Sequence, residues 1–345
     1  MLDKRQKLFQ WAENESLEHQ DLTQAIELTE SDPNLSQWLI FLKTFLLWTA
    51  VISICIGVIF FFAYNWIEMG RFIKFALVEL TMIAAIVFFL KIAKTELIIT
   101  ASLMAKSLLT GALLALVGQT YQTGADPWQL FVIWSILIMP WVIISRSNIL
   151  WSFWVVIINL GFALFLEVAD SFFNVHLTEQ SQLWAIALFN IALLYFFEFI
   201  YNLNRARLYF PAINSQLSVN NKTSSNSRIT CRLLVFIVGL SITMLTIVAI
   251  FDNDSKIYEL LFYTLWMAFV YLIYRWKIPD LFLLSAASLS FIIIVTCLLL
   301  EFLMDGIVDG GFLLISLGII ILSSFAGIWL KKIAKEFQQQ SIEGE

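Results

Sequence analysis

About ten apolar runs, each long enough to cross a bilayer, decide what this chain can fold into. They lie at approximately 40–64, 72–90, 97–118, 128–145, 149–167, 183–201, 233–251, 257–274, 280–300 and 311–330. The hydrocarbon core of a bilayer takes about 20 helical residues. Within it every backbone N–H and C=O needs a partner, which only helices and closed barrels supply. The runs are rich in Leu, Ile, Phe and Ala and lack the strict alternation of a barrel strand. The expected fold is all-α, a polytopic bundle of about ten transmembrane helices. Composition agrees: 60% hydrophobic residues, 14% charged and a mean hydropathy of +0.83 leave too little polar surface for a water-soluble globule.

The first 38 residues are polar and read as a short soluble helical segment, with Leu8 and Trp11, then Leu22 and Ile26, at helical spacing. Its second half is acidic, a solvated face or a surface for a protein partner. The apolar run after it is too long for a signal-peptide core and is expected to act as an uncleaved anchor. The domain organisation expected is then 1–38, a cytoplasmic helical segment, and 39–201, helices 1–6. A polar cytoplasmic loop over 202–232, helices 7–10 over 233–331 and a tail over 332–345 follow.

Charge sets the orientation. With the N-terminus inside and ten alternating spans, the 21 Lys and Arg residues sort almost entirely to the inside. Arg71, Lys74 and Lys256 fall outside, and Lys106 lies within a span. That asymmetry is the positive-inside pattern and predicts both termini in the cytoplasm. The outer loops are correspondingly acidic. Trp38, Trp66, Trp128, Trp151, Trp184, Trp276 and Trp329 fall near the predicted ends, as an interfacial aromatic belt requires.

Two segments carry polar groups at the membrane surface. In Phe60-Phe61-Phe62-Ala63-Tyr64-Asn65-Trp66-Ile67-Glu68-Met69-Gly70-Arg71-Phe72, the candidate residues are Asn65, Trp66 and Arg71. These bind headgroups or anchor the turn. In Gly118-Gln119-Thr120-Tyr121-Gln122-Thr123-Gly124-Ala125-Asp126-Pro127-Trp128, the candidates are Gln119, Tyr121, Gln122, Thr123, Gly124 and Asp126. They form either a small-molecule or headgroup site or a capped turn. Asp126 before Pro127 marks a helix start whose side chain is expected to accept an orphan N–H. Gly124 suits a left-handed turn. Together the two segments resemble an uncharacterised family of bacterial polytopic membrane proteins, a conserved domain of unknown function. The resemblance covers roughly residues 5–150. It implies a bacterial cytoplasmic (inner) membrane location and no activity, and Lys106 is a departure from its pattern.

Ionisable groups at depth come next. Glu79 in span 2 and Lys106 in span 3 sit at nearly equal depth in antiparallel neighbours and are expected to form an intramembrane ion pair. Ser102 and Thr110 lie four residues either side of Lys106. Asn159 and Asn190, mid-span in helices 5 and 6, are expected to share a hydrogen bond, and Glu198 to snorkel. Ser53 with Gly57, and Ser323 with Gly327, have the spacing of close helix contacts. Cys55, Cys231 and Cys297 form no CxxC pair, so neither metal ligation nor a disulfide framework is expected. His19 and His176 fall on opposite sides of the membrane. No catalytic motif, cofactor fingerprint or nucleic-acid-binding patch appears. Two function classes follow: a transporter or channel for a small solute or ion, and a non-transporting scaffold or sensor that binds a partner through residues 1–38.

Overall fold

The computed structural model describes residues 35–64, 70–92, 95–121, 124, 126–173, 177–205, 228–252, 256–305 and 311–343. Among them ten α-helices follow in order: α1 (Leu35–Tyr64), α2 (Arg71–Ile92), α3 (Glu96–Tyr121), α4 (Pro127–Ser145) and α5 (Asn148–Phe173). Then come α6 (Glu179–Arg205), α7 (Ile229–Phe251), α8 (Lys256–Leu272), α9 (Leu281–Asp305) and α10 (Gly311–Glu343). Each overlies one expected run. Nine are long and apolar enough to cross a membrane by length and composition. The tenth, α2, has 22 residues, about 33 Å at 1.5 Å per residue.

Short side chains with a hydroxyl or carboxylate start several of these helices, because the first backbone N–H groups have no partner inside the helix. Ile98 N–H donates to Thr95 Oγ1 at 3.4 Å, Ile149 N–H to Ser147 Oγ at 3.3 Å, and Ser181 N–H to Thr178 Oγ1 at 3.3 Å. Phe282 N–H donates to Asp280 Oδ1 at 3.1 Å. Helix α8 ends in a π turn, Ile273–Lys277, in which Ile278 N–H reaches the Ile273 carbonyl at 2.9 Å.

The chain divides into two compact units, Met1–Thr123 and Gly124–Glu345. In the first, α3 packs against both α1 and α2. In the second, α7 is the hub and touches α5, α6, α8 and α9, while α4 packs on α5 and α10 on α9. A helix enclosed in this way cannot be apolar on one stripe only. Accordingly burial extends well round the helix, from Leu234, Val238 and Leu245 on one side to Val235, Ile250 and Thr243 on others. Its buried hydroxyls are satisfied by carbonyls one turn back: Ser241 donates to Ile237 at 3.0 Å and Thr246 to Ile242 at 2.8 Å.

The expected close contacts at small residues are relocated. A Cβ built on Gly57 or Gly327 meets no heavy atom within 4 Å. At Gly161 it would lie 3.2 Å from Phe131 Cβ and Val132 Cγ2, so this glycine is where α5 approaches α4.

Candidate functional site

Polar groups inside apolar helices are the places to look, because lipid charges a free-energy penalty for each one that lacks a partner. In the first unit they gather on one face of α3. Ser102, Lys106, Ser107 and Thr110 are all buried, Lys106 at 5% exposure. The hydroxyls turn back on their own helix: Ser102 donates to the Ile98 carbonyl at 2.6 Å and Thr110 to that of Lys106 at 2.8 Å. Glu79, on α2, is exposed.

The surface segments expected from the sequence are only partly described. Asn65, Trp66, Gln122 and Thr123 lie outside the described residues. Arg71 opens α2 and Gln119 lies near the end of α3. Tyr121 is exposed, its ring centroid 5.8 Å from that of Phe75. Gly124 has φ +64°, the left-handed turn its type permits. Asp126 is the N-cap of α4 with Pro127 beside it, but its side chain makes no capping hydrogen bond. The start is held instead by the Asp126 backbone carbonyl, which accepts from Gln129 N–H at 3.1 Å. Asp126→Ala is therefore expected to cost under about 0.5 kcal/mol, below the usual loss of about 1 kcal/mol for a working cap. Thermal unfolding of the purified variant checks this.

In the second unit, the side-chain amide of Asn190, fully buried, donates to Asn159 Oδ1 at 2.6 Å, as their spans suggested. This bond ties α5 to α6. Asn190→Leu should lower stability by about 0.6–2 kcal/mol, and Asn159→Leu in that background should add little; full additivity of the two losses would deny the coupling. Deeper in the bundle, Ser290 Oγ lies between Thr243 Oγ1 (2.7 Å) and Tyr263 OH (3.0 Å) and joins α7, α8 and α9. One turn before Tyr263, Glu259 is buried on the same helix. Its Oε2 has no hydrogen-bond partner among the described residues.

Among the described residues, three ion pairs tie the basic end of this unit. Arg228 Nη2 contacts both carboxylate oxygens of Glu198, at 2.8 and 2.9 Å, and links α6 to α7. Glu198 thus pairs across a helix boundary rather than snorkelling. Arg232 pairs with Asp280, which is 6% exposed and also caps α9. Arg275, in the π turn, pairs with Glu336 of α10. Thr230 reinforces the same end by donating to the Asn148 carbonyl at 3.2 Å. The sequence placed these acids and arginines at one end of the unit but did not say which acid meets which arginine.

Two grooves lie on the described helices of this unit. The larger, about 670 Å³, lies on α4 and α5 between Val132, Met139, Pro140, Ile144, Trp154 and Ile158. The smaller, about 220 Å³, lies between α8, α9 and α10. Both are lined almost wholly by apolar side chains, as a lipid-facing surface would be. No group of three or more His, Cys, Asp or Glu residues that could hold a metal occurs among the described residues.

One protein family agrees at the level of a membrane protein. Residues 9–151 match the model of a family described as Predicted membrane protein (DUF2157). The match spans α1–α4 and includes every surface candidate from Asn65 to Asp126, along with Glu79 and Lys106. No curated protein and no solved structure matches the chain. With this match and nine spanning-type helices among the described residues, the chain is a multi-pass membrane protein whose environment is a lipid bilayer.

Proposed function

We propose that the chain is a non-transporting scaffold or sensor of the bacterial inner membrane, with both termini cytoplasmic and residues 1–38 offered to a protein partner. The observation that carries this reading is the set of polar ties across the second unit. Asn159 and Asn190 join α5 to α6, Glu198 and Arg228 join α6 to α7, and Arg232 and Asp280 join α7 to α9. Thr243, Ser290 and Tyr263 join α7, α8 and α9, and Arg275 with Glu336 fastens α10. Ties at two depths favour a single rigid packing over the alternating ones a carrier needs.

A second reading, transport of a small ion or solute, draws on the buried Lys106 of α3 and on the pairing with Glu79 expected from their depths. One experiment separates the two. Spin labels on exposed positions at the basic ends of α6 and α10 report distances in proteoliposomes. The scaffold reading expects one distance population, unmoved by proton, sodium or potassium gradients, and no flux of these ions above protein-free vesicles. Two populations that shift with a gradient, or saturable flux that Lys106→Ala abolishes, would establish transport instead.

A further inference from the structure

The groove between α8, α9 and α10 runs into a cluster of lysines, and the two features together define a ligand. On α10 the groove is lined by Ala326 and Trp329 and on α8 by Met267 and Tyr271. Leu284 and Phe291 supply the α9 wall. Since α9 begins at Leu281, Leu284 lies in its first turn and the groove reaches the end of the bundle that bears the arginines. Tyr271 and Trp329 stack across its mouth with ring centroids 6.2 Å apart.

The next turn beyond that mouth is basic. Helix spacing carries the edge of the α10 lining from Trp329 to Lys332 and then to Lys335, while Lys331 leaves the helix about 100° round from Lys332 and flanks the site; all three are exposed. On the other side the π turn brings Arg275 to Glu336 and sets its guanidinium 5.4 Å from the Phe337 ring centroid. The turn leaves Trp276 69% exposed and Lys277 exposed beside it. Glu336 is thus engaged by Arg275, while the four ammonium groups of Lys277, Lys331, Lys332 and Lys335 face outward.

We infer that this groove and lysine cluster bind an anionic phospholipid, with an acyl chain along α8, α9 and α10 and the phosphate at the lysines. The groove lies within the span-forming segments of all three helices, so its natural occupant is a lipid chain rather than a soluble molecule. Charge complementarity selects the headgroup: clusters of four or more basic residues beside a membrane helix attract anionic lipid, each adding about a fivefold factor in binding. Tyr271 and Trp329 sit where an amphipathic ring is most stable, between chain and headgroup. The inference holds under either reading of the protein's function.

The test uses the full chain in detergent, read by native mass spectrometry and thermal unfolding with phosphatidylglycerol or phosphatidylcholine of identical acyl chains. Phosphatidylglycerol should be retained at least tenfold more than phosphatidylcholine and should raise the melting temperature. Lys277→Gln, Lys331→Gln, Lys332→Gln and Lys335→Gln combined should remove that preference. All four positions are exposed, so melting in phosphatidylcholine should stay as in the parent. Ala326→Phe, which fills the groove, should reduce retention of both lipids, and Ala287→Leu on the opposite wall serves if that variant misfolds. Equal retention of the two lipids by the parent, or an undiminished preference in the lysine variant, would overturn the site. Displacement of phosphatidylglycerol by millimolar glycerol phosphate would assign the lysines to a soluble anion and overturn the lipid. Undisturbed binding in a folded groove-filling variant would remove the chain from the groove.

Discussion

Arg232→Ala is expected to be among the most destabilising single substitutions in the second unit. Asp280 is only 6% exposed and has two duties: Oδ1 caps α9 at the Phe282 N–H, while Oδ2 faces the Arg232 guanidinium on α7. Removing the arginine leaves an ionised carboxylate buried without its neutralising partner. Breaking such a pair costs about 3–5 kcal/mol in an enclosed site. The Arg232 side chain is 30% exposed, so solvent screening places the loss toward the lower end. Asp280→Asn should cost less, because an amide still accepts the Phe282 N–H and leaves the cation with access to water. The decisive variant is the double one. Arg232→Ala with Asp280→Asn should be more stable than Arg232→Ala alone, since the orphaned charge is gone. Thermal unfolding of the three proteins in one detergent measures this, and a double variant no better than Arg232→Ala alone would refute the orphan-charge explanation.

Arg232 and Asp280 also show what the sequence could and could not give. Helix positions were legible because backbone hydrogen bonding in lipid leaves few alternatives. Each of the ten helices lies on an expected run, and α8 departs only where it widens into the π turn. The Asn159–Asn190 bond was legible for a related reason, since two mid-span amides in consecutive helices have few other partners. What was not legible was how the non-consecutive helices meet. The partner of Arg232 caps α9, two helices further on, and nothing local distinguishes Asp280 from Glu198 or Glu336, which lie at the same end of the unit, as its acid. The same limit applies to Ser290, which bridges Thr243 and Tyr263 only because α7 sits at the centre of the unit. The spacing of Ser53 with Gly57 and of Ser323 with Gly327 misdirected attention, because small residues permit close approach without requiring it. Of the surface candidates, Gly124 keeps its expected turn, while the side chain of Asp126 leaves the capping to its carbonyl.

Gly161 is the small residue that packing does use, and substituting it should produce the second large effect. Its neighbours across the helix boundary are Phe131 Cβ and Val132 Cγ2 at 3.2 Å and the Val132 backbone N at 3.3 Å from an added Cβ. Phe131 Cβ and the backbone N are fixed by α4 itself, so a methyl group at 161 cannot be accommodated by turning a rotamer. The helices must separate by several tenths of an ångström. Overpacking of this kind costs about 1–3 kcal/mol, and Gly161→Leu should exceed Gly161→Ala. Separation also strains the tie one face away, where the Trp154 indole N–H donates to the Ser135 carbonyl at 3.0 Å, and the edge-on contact of Trp134 with Phe153. Loss of near-ultraviolet circular dichroism should therefore accompany the loss of stability. Val132→Ala removes the one obstacle that is not fixed by the α4 backbone, Val132 Cγ2, so Gly161→Ala combined with Val132→Ala should recover part of the deficit although Val132→Ala alone destabilises. That reversal of sign has no source except contact between the two positions. Simple addition of the two losses would mean that α4 and α5 do not meet at Gly161.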